Sequence, residues 1–139
     1  MMDGHVKQNV ALTVTSLLSI VLMTLHLADD IVRGFEKAGA SLFAVPILVL
    51  WLYATLVLAG RRSGYVIILL ESLIAMLAPV LHFRATGAVA SGELARTSGA
   101  FFFVWTLIAL GVTALFSLVL SARELWRLGR GQAGSAGAA

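Results

Sequence analysis

Cysteine is absent from the 139 residues, so neither a thiol redox couple nor a thiolate metal site is available. Charge is scarce as well. Asp, Glu, Lys and Arg make up 12% of the chain, where a soluble globular domain carries about a quarter. Also missing are a glycine-rich phosphate loop, a nucleophile elbow, a kinase signature and an HExxH pair, which removes the usual sequence warrants for nucleotide, serine-hydrolase and zinc-protease chemistry. What fills the chain is apolar: 60% of it is hydrophobic and the mean hydropathy is +0.97. Such a composition belongs in a lipid bilayer.

The spacing of the few charges marks out the spans. Twenty-one residues separate Lys7 from Asp29, 23 separate Lys37 from Arg61, and 26 separate Arg96 from Arg123. A further 21 run from Ser63 to Phe83 and contain one acid, Glu71. Each stretch meets the ~20 residues that a helix needs to cross a hydrocarbon core. The expected fold is an all-α integral membrane protein, with four transmembrane helices in an antiparallel bundle and both termini on the same side. Residues 1–128 form the transmembrane domain, with spans at about 10–27, 41–59, 65–81 and 100–121. Residues 129–139, rich in Gly, Ala and Ser, read as a flexible tail.

Orientation follows from the cations. With four spans, the termini and the second loop share one side and carry Lys7, Arg61, Arg62, Arg123, Arg127 and Arg130 against Asp3 and Glu124. The other side carries Arg33, Lys37, Arg84 and Arg96 against Asp29, Asp30, Glu36 and Glu93. The positive-inside rule therefore places the N- and C-termini in the cytoplasm of a multipass protein of the cell membrane, an inner membrane in a bacterium. The pI near 10.0 reflects these loop cations and does not imply a nucleic-acid partner. The expected partners are the lipid bilayer and either a homo-oligomer or a larger membrane complex. Aromatic residues mark the borders of the spans: Phe101, Phe102, Phe103 and Trp105 at one, Tyr65 and Trp126 at the other.

Within this frame one stretch stands out, HLADDIVRGFE at 26–36. On a helix ending at Gly34, Asp29, Asp30 and Arg33 follow His26 at i+3, i+4 and i+7 and share its face. Thr15 and Ser19 extend that face inward as a polar stripe. The simplest reading is an interfacial cap with a packing stripe below it. The third span adds weight to a functional one. Glu71 and His82 stand three turns apart on one face, with the small residues Ala75 and Ala78 between them and Pro79 one turn before His82. An ionisable side chain inside a span normally faces the bundle interior. His26 and His82 lie equally far from their helix starts, so the two imidazoles should face one another at the outer end, with Asp30 beside them. About 16 Å below His82, Glu71 shares a level with Thr15, Tyr53 and Thr113.

Imidazole and carboxylate are a first shell for a divalent metal ion, and two facing histidines are axial ligands for a haem. The candidate metal residues are His26, Asp29, Asp30 and His82. The candidate ligand-binding residues are Glu71, Thr15, Ser19, Tyr53, Thr113 and Arg33. No catalytic residue can be named, and enzyme and non-enzyme readings both stand. The leading expectation is a small transporter or accessory subunit that binds a cation or small ligand in an outward-facing polar site. The alternative is a membrane enzyme or electron carrier with a metal or haem on two histidines, and the third is a scaffold without a ligand. The loop RATGAVASGELARTSG should cover the histidines, with a short helix capped at Ser91. After the last span, ARELWRLGRG suits an anionic inner leaflet.

Overall fold

A computed structural model describes residues 4–35, 38–84, 89, 92, 94–96 and 99–136. Among them there are four α-helices and no strand: α1 (Gly4–Arg33), α2 (Ala38–Leu56), α3 (Arg62–Phe83) and α4 (Ala100–Ala136), with a 3₁₀ turn at Leu94–Arg96 before α4. Three of the helices are long and apolar enough to cross a membrane, at Val6–Arg33, Arg62–Phe83 and Ala100–Arg130. The apolar part of α2, Leu42–Leu56, is shorter. At 1.5 Å per residue the 30 residues of α1 reach about 45 Å, so its polar end projects beyond a core of ~30 Å. The helix α4 continues to Ala136, into the segment rich in Gly, Ala and Ser.

The distribution of side chains is that of a membrane protein. On α1 the exposed positions include Val10, Val14, Leu18, Val21 and Leu25, one turn apart along a single face. The buried ones include Ser16, Ser19, His26 and Asp30. On α4 the buried positions likewise include Thr106, Ser117 and Ser121. Without a difference in hydrophobicity between lipid and protein, helices associate through small and hydroxylated residues that allow close approach, and large aliphatics turn outward.

The ends of the helices are set locally. Gly34, with φ +74°, closes α1: its amide bonds to the Ile31 carbonyl at 3.1 Å, and the Phe35 amide bonds to the Asp30 carbonyl at 2.9 Å. This is the double bond of a Schellman stop, and it ends the helix one turn after Asp30. Residues 57–61 form the tight connection from α2 to α3, so α2 stops at Leu56, short of the expected limit at 59.

Contact is most extensive between α3 and α4 and next between α1 and α4, while α2 lies against α1 and α3. A closed ring of hydrogen bonds joins α1 to α2. Trp51 Nε1 donates to Ser16 Oγ at 2.8 Å, Ser16 and Thr55 hydroxyls meet at 2.7 Å, and Thr55 Oγ1 donates to the Trp51 carbonyl at 2.9 Å. Since Thr55 spends its proton on that carbonyl, Ser16 is the donor to Thr55. Near the same end of the bundle, Tyr65 donates to Asn9 Oδ1 at 2.8 Å.

Candidate metal centre

The last turns of α1 and α3 meet beneath the first turn of α4. There the His26 and His82 rings stand edge to face, with centroids 4.9 Å apart. Asp30 Oδ2 lies 3.4 Å from His26 Nε2 and 3.5 Å from His82 Nε2. One ligand atom from each of the three residues fits within 4.8 Å of the others. In a tetrahedral site with bonds of about 2.0–2.1 Å, ligand atoms are separated by about 3.3–3.4 Å. Two of the three edges therefore already have nearly the length that a bound ion requires.

Burial makes the arrangement costly for the protein alone. His26 is 2% exposed and Asp30 4%. Both ring nitrogens of His26 and Oδ1 of Asp30 are buried without a hydrogen-bond partner among the described residues. Each such atom costs about 1–3 kcal/mol, so a merely structural cluster would be expected to satisfy them. His82 is oriented from behind: its Nδ1 lies 2.8 Å from the Ala78 carbonyl. With the proton on Nδ1 donated to that carbonyl, Nε2 carries the lone pair toward Asp30, the usual way an outer hydrogen bond sets a metal-ligating tautomer.

Phe103, in the first turn of α4, packs against both rings. It is fully buried, with its ring 5.0 Å from His26 and 5.4 Å from His82. The Arg33 guanidinium stands 5.6 Å from the same ring, and Arg33 Nε donates to Asp29 Oδ2 at 2.9 Å. Asp29 is thus engaged with Arg33 and stands apart from the three-residue cluster. That pairing leaves Asp30 as the acid beside the imidazoles among the described residues. Of the loop at 84–99, Val89 and Leu94 pack in the cluster that contains Phe103. Ser91 lies outside the described residues.

The structure does not bring the other candidate residues to this cluster. Glu71 is buried farther along α3, where it borders a cavity with Trp51. Thr15 and Thr113 each bond to carbonyls of their own helix, and Ser19 to the Thr15 carbonyl. Tyr53 is 49% exposed, on the opposite side of α2 from the buried Trp51 and Thr55. Sequence reasoning missed Ser16, Trp51 and Thr55, and it placed Phe103 among interfacial aromatics. Phe101, Phe102 and Trp105 are indeed exposed, but Phe103 faces inward. The helical period alone separates them, yet nothing in the sequence says which of the three points to the histidines. The chain matches no family model, no curated protein and no solved structure.

Proposed function

We propose that this protein is a four-span antiparallel bundle of the cell membrane, with cytoplasmic termini, that binds a divalent transition-metal ion at His26, Asp30 and His82 near its outer face. It serves as a small transporter of that ion or as the metal-bearing accessory subunit of a larger complex. The observation that carries this reading is the set of buried, unsatisfied ligand atoms of His26 and Asp30 facing His82. Two neutral imidazoles and one carboxylate suit zinc, iron or copper better than calcium or magnesium, which prefer shells of oxygen. Asp30 Oδ2 stands close to both Nε2 atoms and Phe103 packs on both rings, an arrangement that favours an ion over the flat slot of a haem.

The second reading, a membrane enzyme or electron carrier, draws on the same geometry. Three protein ligands leave a fourth position of a tetrahedral ion free for water or substrate. Elemental analysis and an absorption spectrum of the detergent-purified protein test both readings. One equivalent of zinc, iron or copper is expected, lost in His26→Ala and in His82→Ala. A metal-free protein that binds none of these ions on titration would refute both readings. Because ligating imidazoles must be deprotonated, metal affinity should fall below about pH 6.

A further inference from the structure

The end of the bundle opposite the metal cluster is strongly cationic. The Tyr65 hydroxyl bonds to Asn9, and Glu124 and Arg127 lie within electrostatic reach of it, so the starts of α1 and α3 meet α4 just beyond its apolar run. Lys7 stands two residues before Asn9, and Arg61 and Arg62 stand four and three before Tyr65. On α4, Arg123, Arg127 and Arg130 follow one another at i, i+4 and i+7 and share a face. All of these cations are exposed. Among the described residues the acid at this end is Glu124, which is 1% exposed and bonded to Arg127 at 3.0 Å. The exposed charge is therefore of one sign, whereas at the opposite end Arg33 is paired with Asp29. Trp126 is 63% exposed beside these arginines, and the Arg130 guanidinium lies 4.1 Å from the centre of its ring.

We propose that this end of the bundle is a docking surface for anionic phospholipids, whose phosphates lie among Arg61, Arg62, Arg123 and Arg130. Depth selects a lipid over a soluble anion. The apolar run of α4 ends at Leu120, and Arg123 and Trp126 follow about 4.5 and 9 Å farther along the axis. The polar layer on each side of a bilayer is about 5–7 Å thick, so Arg123 falls within it and Trp126 at its edge. Residue type agrees with that depth. An indole settles at the level of the headgroups, and a guanidinium meets a phosphate through paired N–H donors. The contact between Arg130 and Trp126 holds one guanidinium at the interface before any lipid arrives. Charge supplies the attraction, because each cation near an anionic surface adds its own contribution where no exposed acid offsets it. Arg127, bonded to the buried Glu124, anchors the surface to the bundle. The inference rests on the chain lying in a bilayer and is independent of the metal. In the orientation proposed above, the surface faces the inner leaflet.

The test uses the full chain in phosphatidylcholine bilayers, probed with spin-labelled phosphatidylglycerol and spin-labelled phosphatidylcholine. The fraction of each probe immobilised at the protein yields their relative association constant. Phosphatidylglycerol should be preferred about threefold or more at low salt. That preference should shrink toward unity at about 1 M salt, where the Debye length is about 3 Å. Inorganic phosphate at matched ionic strength should leave it unchanged, and displacement by phosphate would make this a site for a soluble anion instead. Arg123→Gln combined with Arg130→Gln should remove most of the preference. Arg84→Gln combined with Arg96→Gln, which removes the same charge from the opposite end, should not. All four arginines are exposed, so the fold should tolerate either pair. If the first pair fails to fold, Arg61→Gln combined with Arg62→Gln makes the same comparison. Equal losses at the two ends, or no preference in the unmodified protein, would overturn the proposal.

Discussion

Ser16 and Ser19 are both fully buried on α1, one turn apart, yet they do different work. Ser19 donates to the Thr15 carbonyl of its own helix, whereas Ser16 links Trp51 and Thr55 of α2. Interhelical hydrogen bonds in membranes average only about 0.6 kcal/mol, because the separated helices find other partners. Ser16→Ala, however, leaves the buried Trp51 N–H without its acceptor and removes the donor to Thr55, so its cost should rise to about 1–2 kcal/mol. Ser19→Ala should cost less than about 0.5 kcal/mol. Thermal unfolding of the two variants in detergent checks the contrast, and equal losses would mean that the ring between α1 and α2 carries no special weight.

At the scale of the helices, the joints depend on how closely backbones approach. A Cβ on Gly64 would overlap the Leu58 backbone carbonyl in the α2–α3 connection, where neither group can move aside. Gly64→Ala should therefore destabilise the protein by about 1–3 kcal/mol. Gly111 of α4 is close to α3, but a Cβ there would stand 3.1 Å from Cγ of Pro79, a side-chain atom that can yield by a few tenths of an ångström. Gly111→Ala should be the milder change. Comparing the unfolding midpoints of the two variants tests whether the short connection or the α3–α4 seam is the tighter constraint.

For the molecule as a whole, the contacts are consistent with helices that alternate in direction. Asn9 at the start of α1 meets Tyr65 at the start of α3, and His26 meets His82 at their far ends, against Phe103 at the start of α4. Ser16, in the first half of α1, meets Thr55 near the end of α2. In the orientation proposed above, with Arg61, Arg62, Arg127 and Arg130 on the cytoplasmic side, the cluster of His26, Asp30 and His82 lies on the outer side. In intact cells, an impermeant thiol reagent should label a cysteine introduced at Gly92 and spare one at Ser63, both exposed positions. The reverse pattern would turn the metal site toward the cytoplasm.

The number of helices was readable from the sequence, because it follows from counting residues between charges at a fixed rise of about 1.5 Å. Counting also sufficed for His26 and His82, which lie equally far from their helix starts and were expected to face each other. Rotation about the helix axis is different. It depends on which neighbour each helix packs against, and one residue changes the direction of a side chain by about 100°. So Ser16 rather than Thr15, Trp51 rather than Tyr53, and Phe103 rather than Phe102 turn inward. On α2 the sequence offers little guide, since its residues are apolar on nearly every side, and among the described residues its polar contacts come from Trp51 and Thr55. Packing also leaves Glu71 beside an apolar cavity and makes Asp30, among the described residues, the one carboxylate beside the two histidines. These are consequences of packing between helices, which only the tertiary structure decides.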